Sequence, residues 1–144
     1  MSTNKNTLSE IKPIWAVTEK DFCYLSESYC YEDICFLKIS MESFLDNSDF
    51  SYTGKYDFEL VNKSTRYDES KKRYEDILNK WKNNIPINPP QCNYDGKFYI
   101  KEGNHRTALC VHLDASEIVV SVHKDVVDSI KEIQFEVLDT LIDD

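Results

Sequence analysis

The chain has 144 residues, 41% hydrophobic and 30% charged, and its formal net charge is −9. This size and composition favour one folded domain over a disordered chain. Because an acidic chain without a basic run repels the phosphate backbone, nucleic acid is not expected as a partner.

The sequence shows no membrane or secretion signal. No apolar stretch approaches the roughly 20 residues that a membrane span needs, and the N-terminus lacks the apolar core of a signal peptide. We therefore expect a cytoplasmic protein without membrane contact. The cysteines are odd in number and lack CxxC or CxxH spacing, which predicts free thiols and no zinc site: Cys23, Cys30, Cys35, Cys92 and Cys110.

Residues 1–33 form an N-terminal extension whose role the sequence leaves open. Aromatic side chains between residues 22 and 36 fit either a binding surface or the cover of a sheet. The run "ICFLKI" (34–39) predicts a strand, followed by a short helical turn. After a long polar connection, "YDFELV" (56–61) predicts one more short strand.

The clearest helix is predicted over residues 69–83. Its apolar residues recur at helical spacing and form one stripe: Tyr74, Ile77, Leu78 and Trp81. Asp68 is the expected N-cap, since its carboxylate can accept the free amides of the first turn. The segment "NNIPINPP" ends the helix, because proline cannot continue it.

The remaining elements alternate. After the turn "NYDG" (93–96), the pattern predicts a strand over 97–101, a short helix over 104–113, a central apolar strand over 117–122 and a last helix over 125–141. Cys110 and His112 are expected to pack within the protein, and His123 to cap the last helix. Residues 34–144 are thus predicted to form an α+β domain, a mixed sheet packed with helices.

The segment "GNHR" (103–106) points to a site. Gly103 permits a sharp turn, and Asn104 is a good N-cap for the following helix. A helix N-terminus attracts anions, and His105 and Arg106 add donors there, so the turn is a candidate phosphate or carboxylate site. The alternative is a structural turn and cap in which His105 and Arg106 pair with Glu102 or a loop carboxylate.

The segment "IPINPPQCNYDGKFYIKEGNHRTALCVHLDASEIVVSV" (85–122) resembles the ParB/sulfiredoxin-like superfamily. The shared parts are the preceding helix, the strand "IPI", the turn "NYDG", the strand "KFYIKEG", the box "GNHR" and the closing strand "EIVVSV". The run "ICFLKISMESF" is similar to the first strand of the superfamily, and Arg66 lies where many members carry an arginine. The resemblance covers about residues 34–122 and implies a small, stand-alone member without the DNA-binding domain of ParB proteins.

In this superfamily the box binds nucleotide phosphates, in CTP-binding ParB proteins, in sulfiredoxins and in free-serine kinases. The resemblance therefore implies these ligand-binding residues: Arg66, Gly103, Asn104, His105, Arg106 and Thr107. Sulfiredoxins carry a reactive cysteine where this chain has Asn104, so reduction of sulfinic acids is not expected.

The resulting hypothesis is a domain that binds a nucleotide or another phosphorylated small molecule, with phosphoryl transfer or nucleotide hydrolysis as its possible reaction and Mg²⁺ as its cofactor. Glu102 and His105 are the candidate catalytic residues. Asp68 and Glu69 are further carboxylates that could accept a proton from a substrate. No metal ligand is predicted.

The alternative belongs to another class, an acidic protein-binding module such as an immunity protein or an inhibitor of a basic toxin or nuclease. The two hypotheses differ in what they require of the surface. An open pocket at the turn, lined by Arg66, His105 and Arg106, favours the small ligand. A continuous acidic face elsewhere favours the protein partner.

Overall fold

The computed structural model describes residues 11–22 and 31–138. The strands are β1 (Ile34–Ser40), β2 (Gln91–Tyr94), β3 (Phe98–Glu102), β4 (Glu117–His123) and β5 (Glu136–Val137). The α-helices are α1 (Met41–Asp46), α2 (Phe58–Lys63), α3 (Asp68–Lys82) and α4 (Asn104–His112). Short 3₁₀ helices occupy Tyr31–Asp33, Gly54–Tyr56 and Lys124–Ser129. No helix in these ranges has the length and apolar character needed to cross a membrane.

The five strands form one mixed sheet in the order β3-β2-β4-β1-β5. Only the β2–β4 pair is parallel, with Gln91 opposite Ser121, and the other pairs are antiparallel. Strand β4 lies at the centre, as its continuous apolar run predicts. The predicted α+β class, a mixed sheet packed with helices, is confirmed.

Both faces of the sheet are covered. Because side chains alternate along a strand, Leu37 and Ile39 of β1 enter the large core, which the helices share, while Phe36 enters a smaller cluster on the opposite face. Phe22 closes that second face and meets Phe36 edge-on, with ring centroids 5.7 Å apart. For these two aromatic residues, covering the sheet is therefore the observed role. Trp15 of the extension packs edge-on against Trp81 at 5.4 Å.

The predicted strand over 56–61 is wrong. Residues 58–63 form α2, because the Asp57 carboxylate accepts the Leu60 amide at 3.2 Å and caps the helix. Phe58 and Val61 then share the buried face of one helical turn. Over so few residues, alternating polarity does not separate a strand from a capped helix.

The predicted helix over 125–141 is also wrong for the residues that the structure describes. Between the 3₁₀ helix and β5, residues 130–135 form neither helix nor strand, Glu132 has a φ of 63°, and β5 pairs with β1. The left-handed backbone at Glu132 is incompatible with a continuous helix, and the residues beyond it pair with the edge of the sheet at β1 instead. His123 was expected to cap that α-helix and instead caps the 3₁₀ helix Lys124–Ser129, where its Nδ1 accepts the Asp125 amide at 3.2 Å. Residues 139–141 lie outside the described ranges.

Two packing predictions are confirmed. Cys110 is fully buried, and His112 packs on the ring of Phe58 at a centroid distance of 4.3 Å. Cys35, Cys92 and Cys110 are free thiols, and burial raises the pKa of each. Cys23 and Cys30 lie outside the described residues.

Candidate functional site

The turn between β3 and α4 requires a glycine. Gly103 has φ 108° and ψ 21°, a left-handed conformation. A Cβ atom there would lie 2.7 Å from the Pro90 Cα, closer than nonbonded atoms can approach. The predicted sharp turn is thus present, and it packs the start of the helix against residues 88–90, the proline loop. Gly103 itself is the N-cap residue, so Asn104 begins the helix rather than capping it.

The first turn of α4 is held from within. The Thr107 amide donates to the Gly103 carbonyl at 2.9 Å, and the Thr107 hydroxyl donates to the same oxygen at 3.0 Å. Thr107 is fully buried. Its hydroxyl therefore stabilises the turn and does not face a ligand.

Arg106 links the helix to the proline loop. Its Nη1 donates to the carbonyls of Asn88 and Pro89 at 3.3 and 3.4 Å, and its Nη2 lies 3.9 Å from the Glu102 carboxylate. The side chain is 17% exposed. These contacts match the structural alternative for Arg106 while leaving part of its guanidinium facing a cleft.

His105 sits between two aromatic rings and a buried hydroxyl. The Ser70 Oγ lies 2.8 Å from its Nε2, and the rings of Tyr56 and Tyr74 each meet it at 5.1 Å. Burial, reinforced by the positive charges of Arg73, Lys55 and Arg106, lowers the pKa of His105 to about 4. The imidazole is therefore neutral at pH 7 and can offer a ligand a hydrogen bond but no charge.

Two adjoining clefts open on either side of this turn. The isoleucine cleft, about 320 Å³, is lined by Arg73, Asp76, Ile77, Lys80, Ile87, Glu102, Gly103, His105 and Arg106. The tyrosine cleft, about 290 Å³, is lined by Lys55, Tyr56, Glu69, Ser70, Arg73, Lys101, Glu102, Gly103, Asn104 and His105. They share four residues, Arg73, Glu102, Gly103 and His105, and therefore lie next to each other.

The clefts are locally basic although the chain is acidic. Their walls carry five lysine or arginine side chains against three carboxylates, in a chain whose net charge is −9. The charges come from α3, from the end of β3 and the start of α4, and from the 3₁₀ helix Gly54–Tyr56. An anion at this turn would thus meet a positive field that the overall composition does not reveal.

The structure brings together most of the residues predicted from sequence. Glu102, Gly103, Asn104, His105 and Arg106 all line the clefts. Arg66 and Thr107 line neither. Arg66 is exposed, and its guanidinium lies over the Tyr67 ring at 5.4 Å.

Helix α3 contributes residues that sequence reasoning missed. The missed residues are Arg73, Asp76 and Lys80. With Glu69, which was predicted as a further carboxylate, they recur at a spacing of four, three and four and form one polar stripe that borders the clefts. The spacing was visible in the sequence, but it equally fits a solvent-exposed helix face. Asp68, the expected N-cap of α3, is instead its first helical residue, and Tyr67 is the capping position.

No cluster of three or more potential metal ligands occurs in the described part of the chain. Comparisons of the chain with protein-family models, with curated proteins and with solved structures found no match. The resemblance to the ParB/sulfiredoxin-like superfamily therefore stays a prediction. One of its shared parts differs in the structure, since "IPI" (85–87) is not a strand: Ile87 makes an isolated bridge with Trp15, and β2 begins at Gln91.

Proposed function

We propose that this protein binds a nucleotide or another phosphorylated small molecule in the isoleucine and tyrosine clefts. The observation that supports it is the concentration of five cationic side chains around Gly103 in a chain of net charge −9. Such a local excess costs stability through mutual repulsion unless an anion offsets it. Arg73 is the central cation, because it borders both clefts.

The helix adds to the same field. Helix α4 begins at the turn, so its first amides lack partners within the helix and the positive end of its dipole lies there. Arginine suits a phosphate because its planar fork can make two parallel hydrogen bonds. Neutral His105 supplies a hydrogen bond without adding charge.

Phosphoryl transfer or hydrolysis is the reaction that we propose for this site. Glu102 borders both clefts, so its carboxylate can accept a proton from a substrate hydroxyl or from water. A nucleotide would bring Mg²⁺, and the ion takes one or two protein carboxylates besides the phosphates. Glu69, the other carboxylate of the tyrosine cleft, fits that requirement and leaves Glu102 free to accept the proton.

A thermal-shift titration tests the binding proposal. Nucleoside di- and triphosphates would be added to the wild type, to Arg73→Gln and to Arg66→Gln, each with and without Mg²⁺. A ligand at 100 times its Kd stabilises by about 2.7 kcal/mol, or about 5–10 °C in Tm for a chain of this size. Because both arginines are exposed, neither substitution should change the Tm of the free protein by much.

We expect the shift to persist in Arg66→Gln and to fall strongly in Arg73→Gln. The absence of a shift for every nucleotide, from a folded protein, would overturn the proposal. It would favour the acidic protein-binding alternative, which a pull-down with basic proteins would then test. Loss of the shift in Arg66→Gln alone would restore the arginine that the resemblance implies.

A further inference from the structure

The two clefts differ in whether their cations already have partners. In the isoleucine cleft, Lys80 pairs with Asp76 at 3.5 Å, and Arg106 is held by two carbonyls and Glu102. In the tyrosine cleft, by contrast, Lys55 and Lys101 take part in none of the ion pairs formed among residues 11–22 and 31–138. An anion is therefore expected to bind more favourably in the tyrosine cleft, where Lys55 and Lys101 form no ion pair with the described residues.

The clefts also differ in their apolar surface. Ile77 and Ile87 form an aliphatic wall in the isoleucine cleft, whereas the tyrosine cleft has no aliphatic residue in its lining. The aromatic ring of Tyr56 is already engaged, since the His105 ring meets it at 5.1 Å and the Lys55 ammonium lies 5.4 Å from its centroid. An uncharged group with an apolar face thus finds its better surface against the two isoleucines.

The carboxylates of the isoleucine cleft are consistent with such a group. Asp76 and Glu102 border the aliphatic wall, and each is paired with a cation of the same cleft, Lys80 at 3.5 Å and Arg106 at 3.9 Å. The same oxygens accept hydrogen bonds from hydroxyl groups. A sugar offers hydroxyls, and a base offers a flat apolar face, so a nucleoside matches both features of this wall.

We propose that the ligand is a nucleoside polyphosphate bound in one orientation, with its phosphates beside Lys55 and Lys101 in the tyrosine cleft and its nucleoside against Ile77 and Ile87 in the isoleucine cleft. Arg73 and Gly103, which border both clefts, lie where the two parts of the ligand join. This inference rests on the proposed function and adds to it the class of ligand and its direction.

Isothermal titration of the wild type with inorganic triphosphate and with each of the four common ribonucleoside triphosphates, at one Mg²⁺ concentration, tests the class. All five probes carry three linked phosphates, and inorganic triphosphate has an additional ionisable oxygen in place of the ester, so charge alone would not make a nucleotide bind more tightly. We expect at least one nucleotide to bind about tenfold or more tightly than inorganic triphosphate, which corresponds to about 1.4 kcal/mol of added contact.

Three variants test the orientation. Ile87→Ala should weaken the nucleotide severalfold and leave inorganic triphosphate unchanged, whereas Ile85→Ala, an exposed isoleucine outside both clefts, should change neither. Lys101→Gln should weaken the nucleotide and triphosphate alike, by about tenfold. Should Ile87→Ala fail to fold, Ile87→Val removes one methyl group and keeps the measurement, and the wild-type comparison needs no variant.

The outcomes separate this inference from the function on which it rests. If inorganic triphosphate binds as tightly as every nucleotide, or if Ile87→Ala weakens both probes equally, the orientation is wrong and phosphate binding stands. If Lys101→Gln changes no affinity, the phosphates do not occupy the tyrosine cleft and the inference is overturned. If neither triphosphate nor any nucleotide binds, the proposed function fails together with it.

Discussion

Arg73 and Arg106 border the same site but stand in different relations to the rest of the fold. Arg106 is largely buried and donates to two carbonyls of the proline loop. Arg73 is exposed on α3 and takes part in none of the ion pairs found among the described residues. One guanidinium closes the turn, and the other is available to a ligand.

This difference separates residues that stabilise the fold at the site from residues that are available to bind a ligand. Removing a side chain that donates hydrogen bonds to buried protein acceptors destabilises the fold, because those acceptors are left without partners. Exposed side chains without partners cost little when they are removed, and their loss is seen only when a ligand is present. Both kinds line the isoleucine cleft, Arg106 from α4 and Arg73 from α3, so paired substitutions can separate them.

The largest loss of stability is expected at Gly103, where the backbone packs most closely against Pro90. Gly103→Ala puts a Cβ atom 2.7 Å from the Pro90 Cα and forces a side chain into left-handed backbone. We expect a loss of about 3 kcal/mol, or about 10 °C in Tm, measured by thermal unfolding. Gly96→Ala is the matched control, because Gly96 also has a positive φ but its added Cβ meets nothing within 4 Å. Equal losses in the two variants would show that strain, not the contact with Pro90, requires the glycine at 103.

The two arginines give the next effect. Arg106→Ala leaves the Asn88 and Pro89 carbonyls without their donor, and we expect urea unfolding to show a loss of about 2 kcal/mol. Arg73→Ala should change the free energy of unfolding by less than about 0.5 kcal/mol. A stability loss at Arg73 equal to that at Arg106 would contradict the division between them.

Sequence reasoning was most successful where the information is local. The apolar stripe of α3 predicted residues 69–83, and the helix spans Asp68–Lys82. Strand β4 and the Gly103 turn were also recognised, since a buried apolar run and a glycine before a helix carry their own signals. The segments 56–61 and 125–138 failed because a cap at Asp57 and a sheet edge beside β1 decided their conformation.

The candidate site divides in the same way. Glu102 to Arg106 were predicted because they are contiguous in sequence. Arg73 and Lys55 reach the clefts only because α3 and the 3₁₀ helix Gly54–Tyr56 pack beside α4, and no local pattern encodes that packing. Lys101 directly precedes Glu102 in sequence but was not predicted. Arg66 shows the converse, since a position chosen by resemblance lies outside both clefts.

We expect the folded protein to lose stability at acid pH because His105 must then be protonated. Its pKa is about 4 in the folded protein against an ordinary value of 6.5, so the unfolded chain binds the extra proton between these values. Stability is therefore full above about pH 6.5 and is lost as the pH falls toward 4. Allowing for partial exposure, we expect His105→Gln to remove about 1–2 kcal/mol of that loss, measured as the difference in unfolding free energy between pH 7 and pH 4.5.

His112 sharpens the test, because burial lowers its pKa as well and it remains in the variant. Some acid sensitivity should thus persist in His105→Gln, and the double variant with His112→Gln should lose more of it. His123→Gln serves as a control at an exposed position outside both clefts. If His105→Gln loses as much unfolding free energy between pH 7 and pH 4.5 as the wild type, this imidazole is not held neutral by its surroundings.

The smallest effect is expected at Thr107, and it tests whether the Thr107 hydroxyl stabilises the fold or contacts the ligand. The resemblance implies that Thr107 contacts phosphate, whereas its buried hydroxyl donates to the Gly103 carbonyl at 3.0 Å. Thr107→Val keeps the shape and removes that bond, so we expect a loss of about 1 kcal/mol in urea unfolding. Because the Thr107 amide still donates to the same carbonyl, the turn should persist and nucleotide affinity should stay unchanged. A large loss of affinity with little loss of stability would place the hydroxyl among the ligand contacts, on the side of Arg73 rather than Arg106.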